Sequence, residues 1–371
     1  MGQFKVWYLQ DDIRQYEFYL EKCLKKTPYH FTEYLLAEEE AEEEPGLIFL
    51  YEENGEFALM PNVIRKVNRL PYMKELTKNF WDMITPYEYG GIISNSSDFA
   101  VKRKLIEHMD HYCNSRHIVV QFVRVNPYLS GLPDIYRQNG YQLIHSCRQV
   151  YVDLRQTEEQ IVKGYRSNVR RNIKRAEREG LRFEIGDKNS ENIEIFQNMY
   201  EKAMELLEAR RFLYFNERYF QKLLACNCSR LGLVLDGTGK VVAAGIMLLG
   251  QEIVYYHLGC FDRQSAMQRP MNYLIHSMIL WSKKEGYGIC HLGGGSRNLM
   301  QFKGGYSNTR IDYYTASKIC DGDTYTELCR IWREQFPEFE DKEYFPMYRY
   351  NEDVGMEKDN PFVCGGVTEE Q

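Results

Sequence analysis

Apolar and polar positions alternate along this chain in two periods, and the order in which the periods change predicts its elements. A short apolar start at residues 4–9 gives way to a helical period from about Asp11 to Leu24. Two strand-like runs, Leu47 to Glu52 and Glu56 to Arg65, flank Asn54 and Gly55, a dipeptide that suits a tight hairpin. Six glutamates crowd into Glu38 to Glu44 just before them and read as a solvated helix end or loop. The segment Thr85 to Ile93 reads as a loop packing two tyrosines on the core. A helix (Phe99 to Asn114), a buried-type strand (His117 to Val125), a helix (about Ser130 to Asn139) and a strand pair through Leu154 complete the first half.

The second half begins near Tyr151 with a basic helix from about Glu158 to Glu179. A strand (Leu181 to Ile185) and helices at Asn192 to Leu207 and Glu217 to Ala225 follow. Three strands come next, Leu231 to Leu235, Val241 to Leu249 and Glu252 to Leu258, then a helix from about Pro270 to Lys284. The apolar run Tyr287 to Leu292 then breaks at Gly293, Gly294 and Gly295. One or two helical turns present Phe302 and Lys303 before Gly304 and Gly305 stop them. A strand (Arg310 to Ile319) and a helix (Asp323 to Gln335) close the half.

The halves echo each other. Tyr136, Arg137, Gly140 and Tyr141 follow a helix and buried strand in the first; Phe302, Lys303, Gly304, Gly305 and Tyr306 do so in the second. Duplication of one mixed α/β (α+β) sheet unit is the expectation, with domains at residues 1–148 and 149–336, a cleft between them, and an acidic, aromatic tail at 337–371.

Composition narrows the class. With 44% hydrophobic and 14% aromatic residues the chain builds a full interior, and a net charge of −6 argues against wholesale nucleic-acid coating. No apolar run reaches the roughly 18 to 20 residues of a membrane span, and no signal core opens the chain, so a cytoplasmic protein is expected. The ten cysteines are scattered and expected to be reduced, and no metal site is expected.

The candidate chemistry lies in the second half. Three glycines at a strand end expose backbone N–H groups to a ligand, and Lys303 reaches a charged group there. Tyr256 and His257 alternate on one strand and so take opposite faces; one serves a cleft as proton acceptor or orienting hydroxyl, or both are core residues. Between Lys163 and Arg182 eight basic residues oppose two acidic ones. Arg166, Arg170, Arg171, Lys174 and Arg175 form a polyanion-binding face beside the apolar stripe of Tyr165, Val169, Ile173 and Ala176, or simply a solvated one.

Three segments, RSNVRRNIKRAEREG (166–180), ARRFLYFNERYF (209–220) and HLGGGSRNLMQFKGGY (291–306), resemble in order and spacing the second half of FemABX-type transferases. The resemblance implies two tandem GNAT-like domains and acyl or aminoacyl transfer to an amine of a cell-envelope precursor or nucleotide-linked sugar. It places Phe302 and Lys303 at the active site. It also gives the acceptor's diphosphate to Arg210 with Tyr214, or to Arg211 with Phe215 at the same spacing. The acceptor is then a phosphate-bearing, nucleotide- or lipid-linked molecule. No tightly bound cofactor is implied, and the co-substrate is an aminoacyl-tRNA or an acyl-CoA. Arg263, Gln264, Met267, Gln268 and Arg269 stand where a CoA pyrophosphate cradle needs small residues, which favours tRNA. The competing class is a non-catalytic RNA- or polyanion-binding protein on a degenerate fold.

Overall fold

The computed structural model describes residues 2–209, 213–338 and 344–350. In chain order the elements are β1 (Gln3–Tyr8), α1 (Ile13–Lys22), α2 (Thr32–Glu42), β2 (Gly46–Glu53), β3 (Glu56–Lys66), β4 (Trp81–Ile84), β5 (Ile93–Ser94), α3 (Ala100–Ser115), β6 (Ile118–Val125), α4 (Leu132–Gln138) and β7 (Gln142–Asp153). There follow α5 (Glu158–Gly164), α6 (Ser167–Arg178), β8 (Arg182–Gly186), α7 (Ser190–Leu206), α8 (Glu217–Ala225), β9 (Ser229–Leu235), β10 (Val241–Leu249), β11 (Ile253–Phe261), α9 (Pro270–Lys284), β12 (Ile289–Gly293), α10 (Arg297–Lys303), β13 (Arg310–Ile319) and α11 (Gly322–Gln335).

The first unit takes the described residues up to Ser146 and those from Tyr313 onward. Its strands run β1-β2-β3-β4-β6-β13, antiparallel except for β4 and β6, which α3 joins as a parallel pair. Asn54 and Gly55 take φ of 52° and 82°, and so turn β2 into β3 as the dipeptide predicts. The second unit takes Cys147–Ala209 and Leu213–Asp312. Its order is β7-β12-β11-β10-β9-β8, again antiparallel except for one parallel pair, β11 and β12, joined by α9. In chain order the two halves thus repeat the same plan: antiparallel strands, a crossover helix to a parallel strand, a short helix, then a last strand.

In the second unit α6 and α9 pack together, and Leu274, Ile275, Met278 and Ile279 on α9 are all buried. Each such side chain contributes about 1.5–3 kcal/mol on leaving water.

The structure departs from the sequence-based reading in three places. Two of the six glutamates in the acidic run are interior: Glu38 accepts from the Tyr87 amide at 2.6 Å, Glu39 from the Gly46 amide at 2.8 Å, and both are buried. A carboxylate whose oxygens meet backbone donors is tolerated inside, and residue type alone does not reveal those donors. The described residues from Tyr313 onward join the first unit, whereas the sequence reading places those up to 336 in the second. Arg349 ion-pairs there with the buried Asp82, and Tyr348 and Tyr350 pack beside Trp332. The basic helix breaks in two because Tyr165 is extended (ψ 148°) and turned inward against Tyr306 and His276.

Candidate functional site

β11 and β12 are hydrogen-bonded neighbours only from Ile253 to Tyr255 against Ile289 to His291. Beyond that point β11 continues along β10 to Phe261 while β12 continues along β7. Two parallel strands that part leave backbone groups facing the opening, and a ligand can satisfy them. Tyr256 is the first residue past the split.

The glycine run bends away from the same point. Gly293 and Gly295 take φ of 77° and 136°, which side chains disfavour. A Cβ on Gly295 would also lie 2.5 Å from Leu299. Ser296 caps α10 by accepting from the Leu299 amide, and the short helix carries Lys303 back over the loop it left. Lys303 is buried at 7% exposure; its amine donates to Gly294 O at 2.6 Å and lies 5.5 Å from the centre of the Tyr256 ring. Phe302 packs edge-on against Tyr306. Tyr306 is fixed in turn by Asn272 on α9, which donates to its hydroxyl at 2.9 Å, and Asn172 on α6 donates to Asn272 at 3.2 Å. Lys303 therefore ends a helix whose position three elements determine.

A bulge in β11, opposite Ile246 and Met247, explains the Tyr256 position. The extra residue brings Gly259 onto the same face as Tyr256, and the phenol lies flat over it: a Cβ there would be 2.2 Å from the hydroxyl. Burial raises the phenol's pKa, so it is a neutral donor. We expect Gly259→Ala to swing the ring off Lys303 and cut turnover about tenfold while the thermal midpoint moves by only a few degrees. An unchanged kcat would remove Tyr256 from the site.

His257 takes the opposite face, as alternation predicts. It is buried, its Nε2 is 3.1 Å from the Tyr219 hydroxyl, and burial lowers its pKa to about 3. It is a core residue and not a proton acceptor beside Lys303. His291 was not singled out by sequence; it too is buried, with a pKa lowered to about 3 by burial and then by the Lys303 charge.

Arg210 and Arg211 lie outside the described residues, and Tyr214 is 41% exposed. On the basic helix, Arg170 turns inward and donates to Lys163 O at 2.9 Å and to Tyr165 O, closing the end of α5. Arg175 pairs loosely with Glu179 at 3.7 Å. Arg170 also lines, with Arg171, Lys174, Ser167, Glu177 and Arg178, an open groove of about 780 Å³. Arg166 points instead to α10, where its Nη1 is 3.5 Å from Gln301 O. In the first unit the counterpart of Lys303 is Arg137, which is exposed and paired with Asp134 at 2.7 Å, so the duplicated position carries no buried cation there.

Between β11 and α9, Arg263–Gln268 form a 3-10 helix, and Pro270 opens α9 without an N–H. The Arg269 amide is already spent on Ala266 O at 3.1 Å. Gln268 Oε1 and Arg269 Nε are buried without a hydrogen-bond partner among the described residues. Among those residues no group of His, Cys, Asp and Glu side chains could hold a metal ion, and no helix is long and apolar enough to cross a membrane.

Residues 163–304 match the sequence family described as the acetyltransferase (GNAT) domain. No curated protein sequence matches the chain. Among solved structures, FemX is similar with a TM-score of 0.61 at 11% identity, over 78% of this chain and 92% of that one. The C-terminal domain of a putative lysylphosphatidylglycerol synthetase from Agrobacterium fabrum gives 0.55 at 13% identity, over 85% and 93%. L-PGS from Bacillus licheniformis gives 0.54 at 15% identity, over 81% and 90%. The chain has a duplicated GNAT fold like that of FemX, and residues 163–304 carry a domain of the GNAT acyltransferase type.

Proposed function

We propose that the second unit transfers an aminoacyl group from tRNA to a primary amine of a nucleotide- or lipid-linked envelope precursor. The observation that carries this reading is Lys303, buried, with its amine on Gly294 O and near the ring of Tyr256, the first residue past the parting of β11 and β12. The acceptor amine attacks the ester carbonyl, a C–N bond forms, and the carbonyl oxygen becomes an oxyanion. Lys303 donates to that oxyanion. The C–O bond then breaks, and the proton lost by the amine passes to the departing hydroxyl oxygen. Tyr256 supports the lysine from below through its ring face. The resemblance to FemX and to lysylphosphatidylglycerol synthetase domains supports an aminoacyl donor.

A second reading takes acyl-CoA as donor. The unpartnered Gln268 Oε1 and Arg269 Nε before α9 favour it, since they offer polar contacts to a ligand. Against it, Pro270 and the occupied Arg269 amide leave few donors for a pyrophosphate cradle. Calorimetric titration with CoA, beside filter binding of charged tRNA at two salt concentrations, separates the two. The expected result is tRNA retention that weakens as salt rises. Micromolar CoA binding with no tRNA retained at low salt would transfer the assignment to the second reading.

A further inference from the structure

Two arginines, Arg166 and Arg310, meet beside the last turn of α10, and among the described residues no acid pairs with either. Arg310 opens β13 and donates through Nη1 to Ser307 O at 2.7 Å and Thr309 O at 2.9 Å. That turn is itself braced: the Ser307 and Thr309 hydroxyls are 2.6 Å apart, and Thr309 Oγ1 also donates to Tyr151 O. One edge of the guanidinium is thus fixed. The other points at Gly304, where a Cβ would lie 2.8 Å from Arg310 Nη2 and 3.7 Å from Arg166 Nη2. Both guanidinium ends therefore come within 4 Å of one point, reached over bare glycine.

Arg166 is tied there by its own backbone, whose amide donates to Gly305 O at 2.8 Å. Arg148 adds a third charge; its side chain is 66% exposed, and its nearest acid, Asp312, is 3.7 Å away. None of the ion pairs among the described residues engages Arg166 or Arg310. The strain is electrostatic: burial, then Arg166, then Arg148 all lower the pKa of Arg310. The alternative role, capping the carbonyl end of α10, does not account for the arrangement. Arg166 meets Gln301 O only at 3.5 Å, and the Arg310 bonds go to the following turn. Clustered guanidinium forks with free edges suit the oxygens of a phosphate.

We propose that Arg148, Arg166 and Arg310 form a phosphate-binding subsite one residue beyond Lys303, holding a phosphate of the co-substrate that reacts there. The subsite takes its role from the acyl-transfer reading, but its existence stands on the geometry alone. A phosphodiester at an RNA 3′ end, the pyrophosphate of CoA and the diphosphate of a nucleotide-linked acceptor share the required chemistry.

The test titrates the full chain with inorganic pyrophosphate at low salt, as wild type and as Arg148→Gln, Arg310→Gln and Arg310→Lys. Wild type binds, both Gln variants bind about tenfold more weakly, and Lys recovers only part of the loss. Thermal midpoints report on folding; should Arg310→Gln unfold, Arg148→Gln decides alone, because that side chain is exposed. Absence of wild-type binding, or equal affinity in Arg148→Gln, overturns the subsite. Competition by a CpCpA trinucleotide, CoA or UDP identifies the source, and displacement by none of them overturns its assignment to a substrate. Lys303→Met separates the two claims, since it loses transfer yet keeps pyrophosphate. Binding that depends on Arg310 in a chain with no transferase activity would reject the activity and uphold the subsite.

Discussion

Replacing Lys303 with alanine is expected to lower kcat about 10²- to 10³-fold, equivalent to about 2.7–4 kcal/mol of barrier. The amine meets Gly294 O in the resting site, and the oxyanion it would stabilise exists only during reaction. KM should therefore move much less than kcat. Part of any loss could come from the fold, since Gly294 O is left without its donor at a cost of about 1–3 kcal/mol. Thermal denaturation measures that part separately. Lys303→Arg should not rescue, because a longer planar guanidinium does not fit a buried site bounded by Gly294 and the Tyr256 ring. Steady-state assays with an aminoacyl-tRNA and an amine acceptor would read the effect. A kcat within a few fold of wild type, at an unchanged midpoint, would rule Lys303 out as the oxyanion donor.

Much of this was legible in the residues because it rests on local patterns. The α9 and β13 boundaries match the sequence reading residue for residue, since Pro270 starts one and the Gly304, Gly305 stop precedes the other. The duplication was visible as well, and so was the short helix that ends at Phe302 and Lys303. What was not legible depends on distant partners. Nothing near Glu38 announces the Tyr87 amide that takes it inside, and nothing near Arg349 announces Asp82. The same limit hid Gly259, which matters only because a bulge turns Tyr256 onto it, and Arg310, which only the tertiary fold carries to Arg166. The Ser307-Asn308-Thr309 turn before Arg310 was the one available signal. Its backbone carbonyls hold the guanidinium and its hydroxyls brace the turn, but hydroxyl-rich turns are common enough that nothing in the residues singles this one out.

The second large effect is expected on acidification, and it should fall on one unit. His257, His276 and His291 are buried in the second unit, with pKa values lowered by burial to about 3, 4 and 3. Unfolded, each binds a proton near its ordinary pKa of about 6.5. Below that value the unfolded chain holds protons the folded one refuses, so stability falls with pH through the window from about 6.5 down to the folded pKa values. At pH 5 each histidine costs about 2 kcal/mol, or about 6 kcal/mol together. That is a large share of the 5–15 kcal/mol typical of a domain. In the first unit His30 behaves alike, its pKa lowered to about 4. There Glu38 opposes it, because burial raises its carboxyl to about 7, so the folded state keeps a proton that the unfolded one releases above about 4.5. Moving from pH 7.5 to 5 relieves that penalty by about 2 kcal/mol, offsetting His30. Hydrogen exchange, corrected for intrinsic rates, should therefore show β10, β11 and β12 losing protection at pH 5 while β2 and β3 keep theirs. A uniform loss across both units would mean that these histidines are not what makes the protein acid-sensitive.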